Sequence, residues 1–252
     1  MKPTKKIPTP GAEGAPPPVD KRVHSVVASL KALGSARERA NLARYGITAH
    51  GALGVSMANI QRLAKTLGHD HELAVALWET NCYEARLLVA FVAEPERVTA
   101  ARMERWCRDF DNWAVCDTLC FHLFDRVPHA WSKIRKWSRA REEFTKRTAF
   151  ALLASIAGHD AEAKDALFLE GLRLIEGAAS DERNFVKKGV SWALRRIGRR
   201  NRALNEAAVA LSQRLAVATD PTERWLGRSS LKELTSASVQ RALAKTKRSL
   251  NG

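Results

Sequence analysis

The chain has 252 residues, with 42 Lys plus Arg against 27 Asp plus Glu and a formal net charge of +15. Self-repulsion of that size calls for an anionic partner, with nucleic acid ahead of a membrane surface or an acidic protein. No apolar run reaches the roughly 18 to 20 residues of a transmembrane helix, which excludes membrane insertion. The cysteines, Cys82, Cys107, Cys116 and Cys120, form neither a CxxC pair nor the Cys and His spacing of a zinc site. They read as reduced core thiols, with no metal and no cofactor, and the absence of a secretory core sequence points to the cytoplasm or nucleoid.

In chain order, residues 1–20 hold six of the nine prolines, Gly11, Gly14 and Lys2, Lys5 and Lys6. This composition cannot sustain a helix and predicts a disordered tail that either touches phosphates or is simply solvated. Residues 21–252 read as a single all-α domain, because Ala and Leu abound and β-branched runs bounded by turns are scarce. Amphipathic periodicity predicts helices over 22–33, 36–45, 57–67, 70–79, 82–93, 98–108, 111–124, 128–138, 141–157, 160–176, 183–199, 202–217, 221–234 and 237–246. Pro95, Pro128 and Pro221 each stand where a helix should begin. Short helices joined by brief turns, without a strict repeat period, predict a degenerate α-solenoid of helical hairpins. The second helices of its hairpins would build a concave surface suited to an elongated anion.

Three segments carry candidate chemistry. In Asp111-Asn112-Trp113-Ala114-Val115-Cys116-Asp117, Trp113 and Asp117 are four apart and share a helix face, beside Cys120 and Phe124, while Val115, Cys116, Leu119 and Leu123 face the core. A carboxylate beside an indole in a basic cleft can stabilise a sugar cation or orient a water, whereas the structural alternative is a salt bridge to a nearby arginine. Asp111 is expected to cap this helix. Arg147 shares a face with Ala151 and Ala154, and can clamp a phosphate or pair with a carboxylate such as Asp117.

In the segment from Phe185 to Arg200, Val186, Gly189, Val190, Ala193 and Ile197 form an apolar face, and Lys188, Trp192, Arg195 and Arg199 a separate basic stripe. With Lys187 and Arg196 these cations read as DNA-binding. Trp192 either stacks on a sugar or base or packs under arginine stems. Elsewhere Asp70 reads as a helix cap, Glu84 and Arg86 as a buried ion pair, and Trp78, Trp106, Trp131, Trp137 and Trp225 as helix-packing residues. No Gly-rich phosphate loop, HExxH or nucleophile elbow occurs.

These segments resemble the bacterial DNA alkylation repair proteins of the AlkD-like family, built from HEAT-like helical repeats. The resemblance runs over about 22–245 and is carried by Gly54-Val55-Ser56-Met57 with Leu63-Ala64-Lys65, Leu77-Trp78, Tyr83-Glu84-Ala85-Arg86, the Asp111 to Asp117 segment, Arg147 with Ala149, and Phe185 to Arg196. It implies a monomeric glycosylase that removes cationic N3- or N7-alkylated purines from double-stranded DNA, without drawing the base into a pocket. On that footing Trp113, Asp117, Arg147 and Trp192 would be catalytic, and Lys187, Lys188, Arg195, Arg196 and Arg199 would hold the backbone. Ala114 and Cys116 depart from the family, where bulkier or acidic neighbours are common. The competing expectations are a non-catalytic binder of distorted or branched DNA and a scaffold for an acidic protein.

Overall fold

The computed structural model describes residues 17–47, 49 and 51–249. Through residue 16 the expected tail therefore lies outside the described residues. All fourteen predicted helices are present: α1 (Val19–Ala32), α2 (Ala36–Arg44), α3 (Met57–Leu67), α4 (His71–Trp78), α5 (Tyr83–Val92), α6 (Ala100–Arg108), α7 (Trp113–His122), α8 (Ala130–Trp137), α9 (Glu143–His159), α10 (Asp165–Glu176), α11 (Asn184–Ile197), α12 (Arg202–Ala216), α13 (Pro221–Leu234) and α14 (Ala237–Ser249). No strand occurs among the described residues.

Caps fix the boundaries. Asp70 accepts from the Leu73 amide at 3.0 Å, as expected, and also pairs with Arg22. Asp111 is not the cap of α7. Its neighbour Asn112 accepts from the Val115 amide at 3.0 Å, while Asp111 only takes a 2.6 Å hydrogen bond from the Asn112 amide group. The start of α10 moves from 160 to Asp165, because the Asp160 carboxylate accepts from the amides of Glu162 and Ala163 and turns the chain there. Of the three interior prolines only Pro221 opens an α-helix; Pro95 opens the 3-10 turn Pro95–Arg97, and Pro128 precedes α8 by two residues.

The helices stack in two rows whose neighbours run parallel, which follows from the constant offset between paired residues. In the row α7, α9, α11, α13, Asp117 meets Arg147 and Asp125 meets Ser155, both 30 residues apart. Arg147 then meets Phe185 and Arg195 meets Glu233, both 38 apart. In the other row, Glu79 pairs with Arg105, Glu104 with Lys133, Arg135 with Glu170, and Glu176 with Arg214, linking α4, α6, α8, α10 and α12 in turn. This is the expected α-solenoid. The core between the rows holds Trp78, Trp106 and Trp137, with the Trp78 and Trp106 rings 5.2 Å apart, as helix-packing residues should be. None of the four cysteines is bonded to another, and Cys107, Cys116 and Cys120 are buried.

Glu84 and Arg86 do not form the expected ion pair. The Glu84 side chain is fully buried and accepts from the backbone amides of Leu53 (3.0 Å), Gly54 (2.7 Å) and Val55 (3.4 Å). Those amides converge because Gly54 takes φ +77°, where a Cβ would lie 2.6 Å from Arg39 Cγ and 2.8 Å from its backbone nitrogen. Arg86 turns the other way, donating to the Asp109 carbonyl (3.3 Å) and the Asn81 side chain (2.6 Å), 4.9 Å above the Trp78 ring.

Candidate nucleic-acid interface

The site is organised by α7. Val115, Cys116, Leu119 and Leu123 are buried as expected, and Cys120 and Phe124, expected beside Asp117, are fully buried too. The opposite face carries Trp113, Asp117 and Phe121 at i, i+4 and i+8, all partly exposed. Trp113 packs against the core and its indole N–H donates to the Tyr45 carbonyl at 2.9 Å, tying the start of α7 to the end of α2.

Asp117 and Arg147 form a two-pronged pair: Arg147 Nε donates to Asp117 Oδ1 at 2.9 Å, and Nη2 to Oδ2 at 2.7 Å. Arg147 Nη1 donates to the Phe185 carbonyl at 2.7 Å, so one guanidinium joins α7, α9 and α11. Of the two readings open for Arg147, the geometry is that of carboxylate pairing. The side chains are 16% and 7% exposed, respectively for Asp117 and Arg147. Burial pushes the Asp117 carboxyl above the usual carboxylate range against the pull of Arg147. The Arg147 guanidinium is held above its ordinary value: burial opposes its charge, and Asp117 outweighs burial.

Trp192 reaches the same strip through a ring. It lies face to face on Phe121, with centroids 4.6 Å apart and planes within 5°. Because α7 and α11 pack on opposite flanks of α9, their rings meet across that helix, whose Ala151, Ala154 and Gly158 offer little side chain to intervene. Phe121 also meets the His159 ring edge-on at 5.4 Å. His159 Nδ1 and Ser155 Oγ both lie 2.7 Å from Asp125 Oδ2, a carboxylate otherwise buried under the strip.

The structure thus brings Asp117 and Arg147 into contact and joins Trp192 to the α7 face that also carries Trp113. Phe121, which links them, is absent from the residues singled out in sequence. Its signal is the i+8 spacing from Trp113, masked because Phe121 sits in an apolar run.

The predicted cations divide. Arg195 and Arg199 both point across to α13 and share Glu233, at 2.7 and 3.2 Å. Lys188 is exposed, and neither it nor Lys187 nor Arg196 has an acidic partner among the described residues. The Arg196 guanidinium lies against Gly158, where a Cβ would come 2.7 Å from Cζ, and its Nε has no hydrogen-bond partner. Trp131 packs edge-on against Phe168, as a packing residue should, but Trp225 does not follow that expectation: it is 43% exposed, with Lys187 Nζ 5.7 Å from its ring centre. Among the described residues, no helix is long and apolar enough to cross a membrane, and no group of three or more His, Cys, Asp or Glu side chains is placed to hold a metal ion.

The family model described as DNA alkylation repair enzyme matches residues 26–234, which takes in both stacked rows and every residue of the strip. The chain belongs to the DNA alkylation repair enzyme family. Its fold is similar to that of a solved structure described as "a new family of proteins related to the HEAT-like repeat DNA glycosylases with affinity for branched DNA structures". The two share 18% identity and a TM-score of 0.70, over 82% of this chain and 93% of that one. A designed armadillo repeat protein in complex with a (KR)4 peptide gives 13% identity and a TM-score of 0.35, over 74% of this chain and 89% of that one. Among curated protein sequences none matches.

Proposed function

We propose that this member of the DNA alkylation repair family binds double-stranded DNA distorted by a branch or a damaged base, against the strip formed by α7, α9 and α11. The observation that carries this reading is the state of Asp117. Both of its oxygens are held by a buried arginine, so its charge is compensated within the protein, and the rings of Phe121 and Trp192 stack beside it. The cations left without acidic partners, Lys188 and Arg196, stand beside the rings, where phosphates of a duplex would lie. A bent or branched duplex can lay more of its backbone along a stack of helices than a straight one can. The affinity for branched DNA named for the structural relative is in keeping with this reading.

A second reading, release of an alkylated purine, is favoured by one further observation: Asp117 faces outward on α7 between Trp113 and Phe121, with Arg147 bonded to it and Trp192 stacked on Phe121. A carboxylate has about four lone-pair sites, and Arg147 occupies two. The remaining ones can face a deoxyribose on which positive charge develops as the bond from C1′ to the cationic base breaks. The base leaves with the bonding electron pair and becomes neutral, and the water that adds to C1′ releases a proton to the solvent. A cationic alkylpurine needs no protonation to depart, so no general acid is required.

One experiment separates the readings. The wild type and Asp117→Asn are titrated with a plain duplex, a four-way junction and a duplex carrying 7-methylguanine, and free base is measured in parallel. Binding alone predicts at least about tenfold tighter binding to the junction than to the plain duplex, unchanged in Asp117→Asn. Catalysis predicts base release that Asp117→Asn abolishes. Equal affinity for all three DNAs with no base released overturns both.

A further inference from the structure

We propose that Trp225, together with Lys187, Arg228 and Lys232, forms a second nucleic-acid site on α13, a stacking platform for an unpaired nucleotide next to the duplex-binding strip. The inference rests on the DNA-binding reading above and names the feature of a branched DNA that this end of the solenoid would take.

The orientation of α13 is fixed by its other side. Leu226, Gly227, Ser230 and Leu234 are buried. At Gly227 a Cβ would sit 2.6 Å from the Leu215 carbonyl carbon and 2.7 Å from the Ser212 oxygen, so α13 lies backbone to backbone against α12. Trp225, Arg228 and Lys232, at i, i+3 and i+7, are thereby turned outward, and all three are exposed. Neither Arg228 nor Lys232 has an acidic partner among the described residues.

An indole turned to water beside three cations is a poor arrangement for stability. Exposing it forfeits the burial that a tryptophan elsewhere in this chain obtains, as at Trp78, Trp106 and Trp137. Nor is its neighbourhood that of a protein-docking patch, which would need contiguous apolar surface; Leu226 on one side is buried, and Arg224 is occupied with the Ala218 carbonyl. Flat aromatic surface among unpaired cations matches the requirements of a single strand instead, whose bases stack in any sequence while its phosphates are held by lysine and arginine. Lys187 supplies the continuity. It stands in α11 between the duplex strip and α13, with its ammonium near the Trp225 ring. A strand leaving a duplex on the α7, α9 and α11 face would place its next phosphate there and its base on the indole.

The test compares the wild type, Trp225→Ala and Trp225→Phe, each checked for an unchanged melting temperature, on two probes at one salt concentration. The first probe is a plain duplex, and the second is the same duplex carrying a single-stranded thymine overhang. The wild type is expected to prefer the overhang. Trp225→Ala should lose about 5- to 150-fold on the overhang probe, the range for one base stacked on an aromatic ring. It should leave plain-duplex affinity alone, and Trp225→Phe should keep most of the preference. Equal affinity of the wild type and Trp225→Ala for the overhang probe overturns the platform, as does an equal loss on both probes. A wild type that binds neither probe overturns the duplex-binding reading as well, which sets that failure apart.

Discussion

Replacing Arg147 with Met removes the charge at the junction of three helices while keeping most of the side-chain volume. Two unit charges about 4 Å apart interact by roughly 4 kcal/mol at the effective dielectric of a partly buried site, and removing one partner of a buried pair typically costs about 3–5 kcal/mol. The Phe185 carbonyl loses its donor in the same step. A loss near 4 kcal/mol corresponds to a melting temperature lower by about 8–16 °C for a chain of this size. The loss must depend on pH, because burial already holds the Asp117 carboxyl above its ordinary value, and Arg147 is the cation that restrains it among the described residues. A carboxyl whose folded value is raised above its unfolded value favours the fold when protonated, and that contribution disappears as pH rises through the folded value. The deficit of Arg147→Met relative to the wild type should therefore be smallest at low pH, where the Asp117 carboxyl is protonated in both proteins, and grow as pH rises. Adding Asp117→Asn removes the stranded charge and should recover at least half of the loss at pH 8. Thermal unfolding of the four proteins as a function of pH is the assay. A deficit that is independent of pH, or a double variant as unstable as Arg147→Met, would refute the account of the pair.

Other consequences are independent of that pair. Lys188→Ala should flatten the salt dependence of duplex binding by about one ion, while Arg199→Ala should change it less, because Glu233 already neutralises part of its charge; plots of log K against log salt decide between them. Glu84→Ala should cost about 3 kcal/mol and speed hydrogen exchange at the Leu53 and Gly54 amides, which lose a buried acceptor. Gly227→Ala should destabilise by about 3 kcal/mol or more in denaturant unfolding, since the obstacle is backbone rather than a movable side chain. At Glu104 burial opposes ionisation, but hydrogen bonds from Lys133, Lys136 and Trp137 prevail and hold the carboxyl at about 2. A lowered carboxyl stabilises the fold above its unfolded value and loses that contribution as pH falls through the folded one. Wild-type stability should accordingly drop by about 1–2 kcal/mol more than that of Glu104→Gln between pH 4.5 and pH 2, after allowance for solvent screening.

The helices were legible in the sequence because each buries a stripe at helical spacing, and the drift at their ends has local causes. Asp111 and Asn112 are both good capping residues, and only the backbone decides that Asn112 takes the Val115 amide. The pairing of Asp117 with Arg147 was legible as one of two options, since it needs only that α7 and α9 lie side by side. The acceptor role of Glu84 was not, because its partners are main-chain amides about thirty residues upstream and carry no side-chain signature. Phe121 was hidden by composition: in an apolar run a phenylalanine reads as core. Trp225 was misread for the complementary reason, because the buried side of α13 is set by Gly227 against α12, and a glycine contributes nothing to an apolar stripe.

The distribution of acids explains how one fold leaves a basic face. Glu79, Glu104, Glu170 and Glu176 each bond to a cation on an adjacent helix of the row α4, α6, α8, α10 and α12, forming rungs between successive repeats. The exposed pairs among them, such as Glu79 with Arg105 and Glu176 with Arg214, contribute about 0.2–1 kcal/mol apiece, too little to hold the stack together but enough to favour one alignment of neighbouring helices over another. On the opposite row the acids are likewise committed: Asp117 to Arg147, Asp125 to Ser155 and His159, and Glu233 to Arg195 and Arg199. Since acids are outnumbered by 15 and many are held between repeats, the surplus falls on cations such as Lys187, Lys188, Arg196, Arg228 and Lys232, which neighbour the exposed aromatic rings of α7, α11 and α13. Their field acts on a polyanion over about a Debye length, near 8 Å at physiological salt, and the rings act only on contact. On the proposed reading, attraction to any DNA and discrimination among DNA shapes reside in different side chains, so substitution of Lys188 should weaken binding to every probe alike, whereas substitutions at Phe121, Trp192 or Trp225 should alter the preference among probes.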